Sequence, residues 1–239
     1  MINISNFGTK VHSNILDDLG PLYHSYKLFG AENAQIENFR VNQVCKESIL
    51  LGYIMLAIGK CRRHFADRPS FAELFCADGY FTMAANYFGA EPAVGIDNNR
   101  DSWSNHAPEI ARRLGLGGVR FELRDVNSIS ESNEYDIVAN IGGLYHVSNP
   151  VEVLRKSYDL ARKYLIIQTV VSLANNDENY FAAPAPGWQH GCRFNPQSFV
   201  NMVIAQGYRI IDAQFNQLEG NERLEDRGSV YMLVEKRQQ

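Results

Sequence analysis

Apolar positions along the chain come in short dense runs that alternate with stretches of helical period. The runs at 71–75, 93–97, 119–123, 135–140 and 164–170 are compact and rich in Val, Ile, Leu and Phe, as strands buried on both faces are. Between them, apolar spacing of three and four residues predicts helices over 80–88, about 102–114 and 150–162. Strands separated by helices imply parallel βαβ units with right-handed crossovers. After them, NPQSFVNMVIAQGY reads as a helix with Phe199, Met202, Val203 and Ala205 on its apolar positions and Gly207 at its stop. RIIDAQF and SVYMLVEK then read as an antiparallel pair. The predicted fold is α/β: a doubly wound, Rossmann-like, mostly parallel sheet of seven strands closed by a C-terminal antiparallel hairpin.

The N-terminal part has a different texture. From 43 to 65 apolar residues are dense enough for a buried helix, whose C-terminal end carries Lys60, Arg62, Arg63 and His64. Ahead of it, periodicity is weak, although Ile15, Leu19 and Leu22 are spaced to share a helical face. This predicts a helical cap or arm over 1–66 and a main domain over 67–239. Residues 172–192, SLANNDENYFAAPAPGWQHGC, form an insert long for a compact domain, which reads either as a lid or as a surface excursion.

Composition narrows the function classes. With 239 residues, 45% apolar and 21% charged, the chain has the profile of one ordinary globular core. A net charge of −4 supplies no overall pull toward nucleic acid. The four cysteines lack CxxC spacing, and no run of 18 apolar residues or signal peptide is evident. The expectation is a cytoplasmic protein with reduced thiols and no membrane contact. The six histidines lack paired ligand spacing, so no metal site is expected and a magnesium-dependent catechol mechanism is disfavoured.

The chemistry concentrates between Phe71 and Asn98. A strand ends near Glu73, a turn of small residues follows through Ala77 and Gly79, and a second strand ends in Asp97. Small residues let a ligand approach backbone at a strand's carboxyl end, and a carboxylate about 20 residues on can accept from both hydroxyls of a ribose. A dinucleotide site needs the full G-x-G-x-x-G, because pyrophosphate presses against the helix start. Phe75 and Ala77 stand where such glycines would be. Their presence favours a cofactor without phosphates.

Glu73-Leu-Phe-Cys-Ala-Asp-Gly79, Gly95-Ile-Asp97, Arg124-Asp125-Val126 and Tyr135-Asp-Ile-Val-Ala-Asn140 resemble, in order and spacing, the cofactor motifs of class I S-adenosylmethionine-dependent methyltransferases. The match spans about 71–170. The resemblance implies that Glu73 and the turn at Phe75, Ala77 and Gly79 meet the methionine end of the cofactor, that Asp97 takes the ribose hydroxyls and that Asp125 accepts from the adenine amino group. Asn98, Val126, Asn140 and Gly142 complete the implied cofactor set. Phe75 departs from the family pattern: its ring either turns away from the cofactor or narrows the sulfonium end.

The run Asn140-Ile-Gly-Gly-Leu-Tyr-His146-Val-Ser-Asn-Pro150 is similar to a G-x-LYH-x-x-x-P run of tRNA wobble-uridine 5-hydroxyl methyltransferases and their relatives, and the region from Trp188 to Tyr208 is similar to that group's closing part. His146 is the candidate base, since the ordinary imidazole pKa lies near neutrality, with an orienting structural role as the alternative. Tyr145 is placed to hydrogen-bond cofactor or substrate, or to pack its ring. Trp188 and His190 are candidate substrate contacts from the insert. The leading expectation is O-methylation of a small-molecule hydroxyl. The alternatives are a tRNA wobble-uridine (carboxy)methyltransferase using a carboxylated cofactor, and a catalytically silent cofactor-binding module.

Overall fold

The computed structural model describes residues 12–64 and 66–237. The expected cap therefore lies partly outside the described residues, at 1–11 and Phe65. The core is a seven-stranded sheet of β1 (Phe71–Leu74), β2 (Ala93–Asp97), β3 (Val119–Leu123), β4 (Tyr135–Ile141), β5 (Ala161–Val171), β6 (Arg209–Gln217) and β7 (Gly228–Glu235), in spatial order β6-β7-β5-β4-β1-β2-β3. β1 to β5 pair in parallel, whereas β7 runs antiparallel to both β5 and β6. The expected mostly parallel sheet with an antiparallel closing hairpin is what the chain forms.

The helices are α1 (Glu37–His64), α2 (Tyr80–Tyr87), α3 (Ala107–Arg113), α4 (Pro150–Leu160) and α5 (Pro196–Ala205). Residues of α1, α2 and α3 share one core cluster with Phe71, Ile137 and Ile166, and residues of α4 and α5 share the other with Leu74, Val138 and Ile167. Both sheet faces are thus covered, which explains why β1, β4 and β5 are apolar almost throughout instead of alternating.

α1 begins six residues before the apolar run that predicts it. Its buried positions Leu50, Tyr53, Ile54, Ala57, Ile58 and Cys61 repeat at three and four residues and so form one stripe. Because that stripe packs against Phe71 and Ile137, α1 belongs to the sheet's own core. Ile15, Leu19 and Leu22 share no α-helix. The chain from Asn14 to Ile36 is an arm of turns, with short 3-10 segments at Asp17–Leu19 and Lys27–Phe29 and a two-residue strand, Ala31–Glu32, that pairs in parallel with His12–Ser13.

Local chemistry sets the remaining boundaries. Asn149 caps α4 by accepting from the Glu152 N–H, and Pro150 opens the helix where no N–H is needed. Asn195 and Ser198 form a reciprocal capping box at α5, which ends before Gly207 at φ 74°. Ala205 is exposed, so the apolar face of α5 is carried by Phe199 and Val203. α4 stops at Leu160, because β5 starts at Ala161, three residues earlier than its apolar run suggests.

Candidate active site

The turn after β1 keeps a glycine-rich shape with only one glycine. Phe75, Ala77 and Gly79 all have left-handed backbone, at φ 62°, 48° and 81°. For Phe and Ala this conformation costs about 1 kcal/mol or more each, so the surrounding bonds must impose it. Phe75 and Cys76 donate N–H to the Ile96 carbonyl, Gly79 donates to the Cys76 carbonyl at 2.7 Å, and Ala77 donates to Asp97 Oδ2 at 3.1 Å. Asp97 ends β2 and also accepts from the Asn99 N–H at 2.6 Å, which fixes its carboxylate beside the turn.

The Phe75 ring lies against Gly143. A Cβ on Gly143 would lie 2.0 Å from its Cδ2, so the ring fills the space that Gly143 leaves open, next to the β4 loop. Gly79 is needed for a similar reason: a Cβ there would meet the Phe121 ring at 2.3 Å. Glu73 is buried beneath the turn, where Oε2 accepts from the Thr82 N–H at 2.7 Å and the Thr82 hydroxyl at 2.6 Å. Burial outweighs those bonds and, with Asp78 and Asp97 adding to it, pushes the Glu73 carboxyl up to about 8.

These bonds decide what the turn can hold. N–H groups of Ala77, Gly79 and Thr82 are already taken, and Glu73, Asp78 and Asp97 crowd the start of α2. A pyrophosphate would find acids there where it needs donors. At the junction of β1 and β4, Asn140 stands in register with Leu74, and its buried Oδ1 has no partner among the described residues. Asp125, after β3, accepts from the Asn127 N–H at 2.7 Å and from Asn98 Nδ2 at 3.4 Å; the backbone bond leads in holding its carboxyl below the usual range. The Val126 side chain is buried in the core.

At the carboxyl end of β4, Gly142 has φ 72° and Leu144–His146 form a 3-10 turn. The Tyr145 and His146 rings lie 4.0 Å apart, and the Arg193 guanidinium sits 5.1 Å from the Tyr145 ring centre. Arg193, nearly buried, bridges Asp226 at 2.6 Å and donates to the Tyr145 carbonyl at 3.2 Å. His146 is open to solvent, yet protein hems it in. Burial first, then the charges of Arg193 and His190, lower its imidazole to about 4, while Asp101 opposes and Lys46 adds to the lowering. A value of about 4 leaves His146 unprotonated at neutral pH. Lys46, on α1, has an ammonium lowered to about 8 by burial.

The insert is fastened at both ends. The Leu173 N–H donates to the Leu224 carbonyl, residues 181–182 pair with 193–194, and the Cys192 N–H donates to the Tyr145 carbonyl at 3.0 Å. His190 is close enough for its charge to act on His146, whereas Trp188 is 51% exposed with only its edge near His190. The arm closes the site from the other side. His24 Nδ1 lies 2.5 Å from Asp78 Oδ1, and the Tyr26 hydroxyl donates to the Asp78 carbonyl at 3.0 Å. Tyr23 stacks on Phe39 at 4.2 Å and meets Trp103 edge-on.

The structure thus gathers Glu73, Asp97 and the turn with Asn98 and Asp125 at adjacent strand ends, and Tyr145, His146 and His190 at the end of β4. The sequence singles out none of His24, Lys46, Gln168 and Arg193, which have hydrogen bonds or charges acting on these residues or lie beside Gly142. Gln168 carried a readable signal, a lone amide in the apolar strand run YLIIQTVV. His24 lies in a stretch without periodicity and gave none.

A methyltransferase-domain sequence profile matches residues 70–222. The chain belongs to the methyltransferase-domain family. No curated protein sequence matches it. Among solved structures, this methyltransferase domain is similar to magnesium protoporphyrin IX methyltransferase from Synechocystis PCC 6803 with bound SAH, at 12% identity and TM-score 0.64 over 89% of this chain and 93% of that one. It is likewise similar to the N-terminal domain of EvdMO1 with SAH bound, at 13% identity and TM-score 0.61 over 92% and 93%. The [4+2]-cyclase SpnF shares 17% identity at TM-score 0.57 over 77% and 80%. The fold therefore houses more than one reaction, and the site must carry the functional argument. No helix among the described residues is long and apolar enough to cross a membrane, and among them no group of three or more His, Cys, Asp or Glu is arranged to hold a metal ion.

Proposed function

We propose that this enzyme transfers a methyl group from S-adenosylmethionine to a hydroxyl of a small molecule. The observation that carries the cofactor is the Asp97 carboxylate, held by the Ala77 and Asn99 N–H groups at the mouth of an acid-lined turn. In this reading Asp97 takes the ribose hydroxyls, Asp125 and Asn98 the adenine, and the turn at Phe75, Ala77 and Gly79 the methionine end. The buried Asn140 oxygen and Gly142 stand at the same end. SAH in two of the similar structures supports the same cofactor.

Methyl transfer from a sulfonium is an in-line displacement, so positioning and exclusion of water are the main demands on the protein. The arm at His24–Tyr26 and the insert at 172–192 supply two walls. His146, unprotonated at neutral pH, is the group available to receive a hydroxyl proton, with Tyr145 beside it. Trp188 and His190 are the substrate contacts proposed from the insert.

Lys46 favours a second reading, in which an anionic group, on the acceptor or on a carboxylated cofactor, sits near His146. The tRNA version of that reading has less support, because the net charge is −4. Calorimetric titration with SAH tests the cofactor assignment. Wild type is expected to bind at micromolar Kd, and Asp97→Ala to lose at least tenfold; absence of heat in wild type overturns it. Absence of salt-sensitive binding to bulk tRNA over a salt series would remove the tRNA reading.

A further inference from the structure

Gln168 is fully buried on β5, in register with Ile141 at the end of β4 and Tyr231 on β7. Its amide is held in one orientation, with Nε2 donating to Ser229 Oγ at 2.8 Å. The other end, Oε1, has no hydrogen-bond partner among the described residues. A buried carbonyl left unpaired costs about 1–3 kcal/mol, and apolar side chains of similar size would fill the place without that cost.

Oε1 is directed at the acceptor end of the site. A Cβ built on Gly142 would lie 3.8 Å from it and 4.0 Å from Tyr145 Cε1, with nothing nearer. Gly142 is itself half-buried, and Oε1 lies beside it, closed to solvent. β4 separates β5 from the β1 turn, which puts Gln168 on the far side of β4 from the proposed cofactor cradle. An amide oxygen accepts hydrogen bonds and cannot donate them.

We propose that Gln168 is a specificity-determining residue whose Oε1 receives a hydrogen from the acceptor substrate, so that the enzyme selects molecules presenting an O–H or N–H donor at Gly142. The inference rests on the methyl-transfer reading, since that reading makes this end the acceptor side. A site built around an unpaired acceptor rejects analogues lacking the donor, because the oxygen would then be buried unpaired beneath the ligand.

The test uses the full chain saturated with SAH and two probes of similar shape, 4-hydroxybenzoate and benzoate, which differ only in the hydroxyl. The wild-type complex is expected to bind 4-hydroxybenzoate about tenfold more tightly than benzoate by calorimetry. Gln168→Met is expected to keep SAH and benzoate affinity and to lose the preference for the hydroxyl. Equal affinities in wild type, a preference that survives Gln168→Met, or no binding of either probe overturns the proposal. The wild-type comparison stands even if the variant fails to fold. Failure of SAH to bind at the outset sinks the methyl-transfer reading, whereas SAH binding without donor preference sinks only the role of Gln168.

Discussion

His24 and Asp78 join the N-terminal arm to the turn after β1 through both carboxylate oxygens: Nδ1 meets Oδ1 at 2.5 Å, and the His24 N–H meets Oδ2 at 2.9 Å. Both residues are buried, with Asp78 at 1% exposure. The arm therefore holds the turn directly, and the turn's geometry depends on a segment 54 residues away in sequence.

Breaking that contact should loosen the arm before it unfolds the sheet. His24→Ala leaves a buried carboxylate oxygen short of a partner and is expected to cost about 1–3 kcal/mol. Limited proteolysis should then cut between Leu22 and Ile36 faster than in wild type, while cleavage within β4 and β5 stays slow. Uniform acceleration at all sites would show that the arm has no independent opening.

The left-handed turn makes opposite predictions at neighbouring positions. Ala77→Gly removes the penalty of φ 48° but adds unfolded-chain freedom, so stability should change by less than about 1 kcal/mol. Gly79→Ala meets both φ 81° and the Phe121 ring, and should cost more than about 2 kcal/mol. Phe75→Gly relieves φ 62° yet empties the space against Gly143, so packing loss should win and lower the melting temperature. Denaturant melts of the three variants give the order directly.

The fold was largely legible because its signals are local and repeated. Buried strands of β1, β4 and β5 announce themselves as apolar runs, and Asn149-Pro150 and Asn195-Pro196 mark helix starts. The placement of Asp97 and Asp125 was legible because Asp97 ends a strand and Asp125 lies two residues past one. What was not legible depends on contacts distant in sequence. Nothing near Phe75 says that its ring lies against Gly143, and nothing near His24 says that it meets Asp78. The neutral character of His146 was hidden for the same reason, since burial and Arg193, on a segment 47 residues later, depress its imidazole. Gln168, a polar residue inside an apolar strand, was the signal passed over.

His146 sets a limit on the pH profile. Its imidazole is lowered to about 4, so it keeps its lone pair from pH 8 down to pH 5. Turnover should show no acid limb near pH 6.5 from this residue, and His146→Ala should lower kcat by about 10²-fold or more if it receives the proton. A wild-type limb near 6.5 that disappears in His146→Ala would contradict the depressed value.

Glu73 gives a stability test with a defined sign. Its folded carboxyl titrates at about 8, above the ordinary 4.5, so the folded state holds a proton that the unfolded chain releases between those values. Stability must therefore fall as pH rises through that window, by an amount on the order of 3 kcal/mol or more given about 1.4 kcal/mol per pKa unit. Glu73→Gln keeps the carbonyl oxygen that accepts from Thr82 and carries no proton to lose. Its melting temperature relative to wild type should climb between pH 5 and pH 8, by about 5 °C or more, and level off above. If Glu73 were ionised at neutral pH and held by Thr82 alone, the difference would instead be flat across that range, and the variant would lose the charge-assisted part of those two bonds at every pH.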